Sequence, residues 1–216
     1  MNALSDFDQA FARCPLIAIL RGVRPDEVEA IADALIDAGF TLIEVPMNSP
    51  GPLESVARLA RRCAGRAIVG AGTVLRTDDV AAVQAAGGTM IISPNANLDV
   101  IRASAAAGLV SLPGIATPSE AFAALGAGAT ALKLFPAEAA SPGVLKAMRA
   151  VLPRDMRVLP VGGVTPDTML PWLKAGAAGF GLGSALYAAG YSAEHVGANA
   201  RAFVAALATV RAGNPA

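Results

Sequence analysis

Hydrophobic positions in this 216-residue chain follow two alternating patterns. Short β-branched or apolar runs occupy Leu16–Arg21, Thr41–Pro46, Ala67–Thr73, Thr89–Ser93, Leu109–Leu112, Ala131–Phe135, Arg157–Val161 and Gly179–Leu182, and these predict strands. Between them lie amphipathic, alanine-rich stretches such as Pro25–Ala38, Pro52–Cys63, Val100–Ala107 and Thr117–Leu125, which predict helices. Gly39, Gly108, Gly128 and Gly176 each precede a strand, where a left-handed residue closes a helix C-terminus. Thr77, Thr117 and Thr165 stand where helices open.

Eight such units imply parallel strands, because each crossover carries a helix. Two α/β architectures fit, a closed (β/α)₈ TIM barrel and an open doubly wound sheet. Even spacing without a long interruption favours the barrel. The expectation is one barrel domain over residues 1–216, with Met1–Arg13 as an extra N-terminal helix covering the barrel bottom.

Composition narrows the function. Hydrophobic residues make up 54% and charged residues 16%, as in a well-buried globular chain. Lys+Arg and Asp+Glu both number 17, so no basic field exists for nucleic acid or an anionic membrane, although a local anion site remains possible. Two scattered cysteines, Cys14 and Cys63, suit a reducing cytosol. With His195 as the single histidine, a His-rich metal site is not expected. Met1–Arg13 carries Asp6, Asp8 and Arg13 and does not read as a signal peptide, and no apolar run reaches the ~20 residues that span a bilayer. The expectation is a cytoplasmic protein without metal, cofactor, nucleic-acid or membrane partner.

Lys133 breaks the hydrophobic pattern. It is one of three lysines and sits inside Ala131-Leu132-Lys133-Leu134-Phe135, whereas Lys146 and Lys174 lie in helical stretches. Strand alternation points Lys133 away from Leu132 and Leu134. If both faces are buried, desolvation lowers the lysine pKa and makes the amine nucleophilic, as imine chemistry requires. Active sites of α/β barrels form at the C-terminal ends of the strands. Arg21, Glu44 and Thr73 also stand near predicted strand ends, and strand period places all four on the inward face. A lone strand-end charge is more often a structural ion pair; four converging polar residues reverse that preference.

Gly162-Gly163 and Gly181-Leu182-Gly183-Ser184 follow the last two predicted strands, the usual phosphate corner of such barrels. Tight turns use such glycines equally often. His195, Asp99, Glu120, Glu138 and Asp167 read as surface or helix-end residues, and Trp172 and Phe180 as packing.

The segments Ile19-Leu20-Arg21-Gly22, Glu44-Val45-Pro46, Gly70-Ala71-Gly72-Thr73, Ser93-Pro94-Asn95, Leu112-Pro113-Gly114, Leu132-Lys133-Leu134-Phe135-Pro136 and Gly162-Gly163-Val164 appear in an order that closely resembles the 2-keto-3-deoxy-6-phosphogluconate and -phosphogalactonate aldolases. The resemblance runs from about Leu16 to Tyr187. It implies a homotrimeric, metal-independent class I lyase that splits a phosphorylated sugar acid into pyruvate and glyceraldehyde 3-phosphate. It also implies Lys133 as the Schiff-base lysine and Glu44 as the general acid/base. Arg21 and Thr73 would surround the pyruvyl carboxylate, and Pro94 and Phe135 would shape that pocket. Val161, Gly162, Gly163, Gly183 and Ser184 would line the distal part of the substrate site. Phosphogluconate enzymes follow the glutamate with Thr-x-Arg-Thr and carry Thr before the Gly-Gly pair. Pro46-Met47-Asn48-Ser49 and Val161 instead resemble the phosphogalactonate branch. The alternatives are a phosphogluconate aldolase of the same mechanism, a phosphate-binding barrel isomerase or synthase, and a non-catalytic sugar-phosphate sensor.

Overall fold

The computed structural model describes residues 3–212. In chain order its first half contains α1 (Ala3–Arg13), β1 (Leu16–Ile19), α2 (Val28–Asp37), β2 (Leu42–Pro46), α3 (Pro52–Arg62), β3 (Ile68–Gly72), α4 (Thr77–Ala85), β4 (Met90–Ile92) and α5 (Leu98–Ala106). The second half contains β5 (Val110–Leu112), β6 (Gly114–Ile115), α6 (Pro118–Gly126), β7 (Leu132–Leu134), α7 (Pro142–Arg149), β8 (Val158–Pro160), α8 (Met169–Lys174), β9 (Phe180–Leu182) and α9 (Ala193–Ala212). Single 3₁₀ turns at Ala137–Ala139 and Pro166–Thr168 precede α7 and α8. Met1 and Asn2, the start of the expected N-terminal helix, lie outside the described residues.

Every paired strand is parallel. The strands form a six-stranded sheet ordered β5-β4-β3-β2-β1-β9 and a three-stranded sheet ordered β6-β7-β8. The expected α/β fold of parallel strands is present, with the strands divided between two sheets. The fifth predicted run, Leu109–Leu112, holds β5 and stops before Pro113, which has no N–H to donate, and Gly114–Ile115 beyond it forms a further strand that was not expected. Two contacts span the seams. The Pro113 carbonyl accepts from Lys133 N at 2.9 Å, and Val161, just past β8, bridges Gly181 of β9 in parallel.

Strand alternation sorts the apolar residues into two clusters. Leu16, Ala18, Ile43, Val45, Val69, Ala71, Ile91, Leu132, Leu134, Val158, Phe180 and Leu182 face the helices. Ile17, Leu42, Met90, Ile92, Val110, Leu112 and Leu159 face the opposite side and pack with Phe7, Ala10 and Phe11 of α1. The first helix therefore plugs the N-terminal end of the strand bundle. Full burial of an aromatic such as Phe7 contributes about 1.5–3 kcal/mol. Arg157 seals the same end, with its guanidinium carbon 4.9 Å from the Phe11 ring centre and Nη1 2.6 Å from Asp8 Oδ1. That ion pair is half-exposed, so it contributes less than about 1 kcal/mol.

Gly39, Gly108, Gly128 and Gly176 have φ of +105°, +70°, +100° and +97°, as helix closure there requires. Thr117 opens α6 with a capping box, in which its hydroxyl accepts from Glu120 N and Glu120 Oε2 accepts from Thr117 N. Thr165 caps only the 3₁₀ turn before α8. Thr77 is the first residue of α4, where Arg76 holds the cap position. Among the described residues no helix is long and apolar enough to cross a membrane.

Candidate active site

The C-terminal end of the same bundle is built differently. Continuing inward past Leu42, β2 presents Glu44 opposite Ile19 of β1. Across the interior, β7 presents Lys133 between Gly114 of β6 and Leu159 of β8. Glu44 is 1% exposed and Lys133 5%. Both line a void of about 10 Å³ with Ile17, Ile19, Ile92, Leu112, Leu159, Val161 and Gly181. That volume corresponds to roughly one water-sized probe, so the two charged groups face each other across an almost filled apolar interior.

Burial sets their protonation. Desolvation raises the Glu44 carboxyl from its ordinary 4.5 to about 7, opposed by the charges of Lys133 and Arg21. Desolvation lowers Lys133, the Glu44 charge resists that fall, and the Arg21 cation reinforces it. Among the described residues Glu44 Oε2 has no hydrogen-bond partner. Leaving such an acceptor unsatisfied costs at least about 1–3 kcal/mol, and groups of this kind concentrate at functional sites. Gly72 makes room for it, since a Cβ there would lie 1.4 Å from Glu44 Oε2. The Phe135 ring sits on the amine side, its centre 4.6 Å from Lys133 Nζ.

Above this floor opens a cavity of about 340 Å³ whose lining runs from Lys133 and Phe135 to Arg21, Val161, Gly162, Gly163, Gly183 and Ser184. The structure thus brings eight of the sequence-predicted residues into one cavity, with Glu44 lining the smaller void that adjoins it. Thr73 and Pro94 line neither space. For Thr73 the strand-period expectation fails. In β3 the inward residues are Gly70 and Gly72, whose added Cβ atoms would meet Met90 and Glu44, so Thr73 falls out of phase. Its φ of +56° interrupts the strand and strains a β-branched residue. Arg21 also lies beyond its strand, in the turn after β1.

Two further polar residues stand beside these groups, Glu138, which carried no site reading in the sequence, and Asn48, which the sequence marks only as part of Pro46-Met47-Asn48-Ser49. Glu138, expected as a helix-end or surface charge, is exposed but folds its carboxylate over the glycine pair, where a Cβ on Gly162 would lie 1.9 Å from Oε2. Its place five residues after Lys133, in the 3₁₀ turn just past β7, was the available signal. Asn48 accepts from Arg21 Nη1 at 3.2 Å. His195 is exposed on α9 and stacks on Tyr191 with ring centres 4.2 Å apart, remote from the cavity lining. Cys14 and Cys63 are buried free thiols, and burial pushes Cys63 up to about 11. Among the described residues no three His, Cys, Asp or Glu side chains converge as a metal-ligand set.

A buried amine of lowered pKa beside a carboxyl that titrates near neutrality can attack a carbonyl and move protons around the adduct. The wider cavity can hold a short anionic chain extending away from that amine.

The 2-dehydro-3-deoxy-6-phosphogalactonate aldolase of Escherichia coli K12 is 48% identical over 90% of this chain and 95% of its own length. A solved structure described as native KDPGal superposes with a TM-score of 0.90 at 47% identity, covering 92% of this chain and 96% of that one. The 2-dehydro-3-deoxy-phosphogluconate aldolase of Pseudoalteromonas atlantica is 33% identical over 76% of this chain and 75% of its own. Residues 7–199 match the KDPG and KHG aldolase family, and the chain belongs to it.

Proposed function

We propose that this chain is a class I lyase that cleaves 2-keto-3-deoxy-6-phosphogalactonate into pyruvate and D-glyceraldehyde 3-phosphate. The observation that carries the reading is Lys133 and Glu44 facing one another in an apolar interior, with the amine shifted down and the carboxyl up to about 7. Neutral Lys133 attacks the C2 ketone and, after loss of water, forms a protonated imine. Glu44 removes the C4 hydroxyl proton, the C3–C4 bond breaks, and the imine nitrogen takes up the electron pair as an enamine. Protonation at C3 and hydrolysis release pyruvate and return the free amine. No metal enters this scheme.

In this reading Arg21 serves the pyruvyl carboxylate, and Phe135 walls that end. Gly162, Gly163, Gly183 and Ser184 receive the phosphate. Thr73 and Pro94 reach the substrate only if it extends beyond the two cavities described. The two sheets act as one closed (β/α)₈ barrel, supported by the contacts across both seams. Assembly as a homotrimer and a cytoplasmic location remain part of the proposal, on family resemblance.

The galactonate epimer is favoured by Val161, a methyl-bearing wall in the cavity where phosphogluconate enzymes carry a hydroxyl, and by the 48% relative's name. The test is kcat/KM on both epimeric 6-phosphates with and without EDTA. The galactonate should be preferred, EDTA should change nothing, and Val161→Thr should shift the ratio toward the gluconate by roughly the ~10-fold that one pocket group supplies. Equal rates on both epimers would remove the galactonate assignment, and activity lost to EDTA would remove the metal-free mechanism.

A further inference from the structure

Arg21 lines the cavity with Lys133 and acts on Glu44 only through space, and among the described residues no carboxylate forms an ion pair with it. Arg24, three residues on, shows the usual alternative, with Asp26 and Glu27 both at 3.2 Å. Arg21 is held by a neutral acceptor instead. Its Nη1 donates to Asn48 Oδ1 at 3.2 Å, and the next backbone amide, Gly22 N, donates to Ser49 Oγ at 3.0 Å. The two loops are therefore clasped at adjacent positions. Ser49 is buried and is itself fixed by donating its backbone N–H to the Pro46 carbonyl at 2.9 Å, directly after β2. Gly22 has a φ of +85°, which lets the β1 turn present its amide to Ser49.

An amide oxygen can orient a guanidinium without neutralising it. A carboxylate at the same place would orient it more strongly but would compete with any anionic substrate for its donors. We propose that Asn48 is a positioning residue that aims Arg21 into the cavity as an uncompensated cation for the substrate's C1 carboxylate. This inference rests on the reading that Lys133 carries the pyruvyl group. Asn48 touches no reacting atom and acts through Arg21. The neutrality of its side chain matters as much as its hydrogen bond.

The experiment compares Asn48→Ala and Asn48→Asp, both at an exposed position. Asn48→Ala should raise KM for the 6-phosphogalactonate substrate about five- to tenfold, the loss of one modest hydrogen bond, with kcat within about twofold. Asn48→Asp should raise KM further still, because the new carboxylate occupies Arg21. In an Arg21→Ala background, Asn48→Ala should add nothing, since the two act as a unit. A clasp that merely holds the loops together predicts the reverse order, with Asp as good as Asn or better. That result, an unchanged KM in Asn48→Ala, or additive losses in the double variant would overturn the proposal. Borohydride trapping of pyruvate on the wild-type enzyme keeps the two levels apart. Labelling of Lys133 with flat Asn48 variants defeats only this inference, whereas failure to label Lys133 defeats the reading beneath it.

Discussion

The two ends of the strand bundle share one set of inward positions and use them oppositely. At the N-terminal end the interior is completed by Phe7 and Phe11, and the charged residue there, Arg157, lies over the rings with its head paired to Asp8. At the C-terminal end the next inward residues along β2 and β7 are Glu44 and Lys133, with an acceptor oxygen left unpartnered. The first end is satisfied and stabilising. The second holds desolvated charges that cost stability and shift both pKa values toward neutrality. Substitutions at the two ends should therefore move different observables.

The largest expected effect is Lys133→Ala, which should lower kcat by at least about 10⁴-fold, because no other group can form the imine. Circular dichroism should show the variant still folded, since a buried ammonium whose desolvation opposes folding is removed and the packed plug is untouched. Glu44→Gln should lower kcat about 10³-fold, the scale of lost acid/base catalysis. The same variant tests the electrostatics. A carboxyl whose pKa rises on folding from 4.5 to about 7 destabilises the fold once it ionises. Wild-type stability should thus decline as pH rises from about 4.5 to 7, by up to about 3 kcal/mol, and Glu44→Gln should abolish that slope and be the more stable protein at pH 8. Urea titrations at pH 4.5 and 8 check this, and equal slopes for both proteins would contradict it. Phe7→Ala, at the other end, should cost about 3–5 kcal/mol while kcat of the folded fraction stays within twofold. A plug variant with wild-type stability, or with depressed kcat, would erase the contrast between the ends.

What could be read in the sequence follows from the same contrast. Lys133 and Glu44 were legible because a charge inside an apolar run violates strand patterning, and alternation then fixes its face. The strand and helix order was legible from periodicity, and helix ends from glycines that do take left-handed conformations. The extra strand at Gly114–Ile115 and the division into two sheets were not, because pairing depends on which backbone N–H groups meet across strands. Thr73 was misplaced because Gly70-Ala71-Gly72 carries no large side chain to reveal which positions of β3 face inward, and Thr73 is one residue out of phase with Gly70 and Gly72. Glu138, and the contact of Asn48 with Arg21, escaped notice because both residues are exposed and polar, and no pattern distinguishes such a position at a cavity from an ordinary surface.

The central claim is that Lys133 is the nucleophile, and reductive trapping tests it most directly. Borohydride added with pyruvate, followed by peptide mass spectrometry, should place one pyruvate-derived adduct per chain on Lys133 and leave the exposed Lys146 and Lys174 unmodified. An adduct missing from Lys133, or spread equally over all three lysines, would contradict the account.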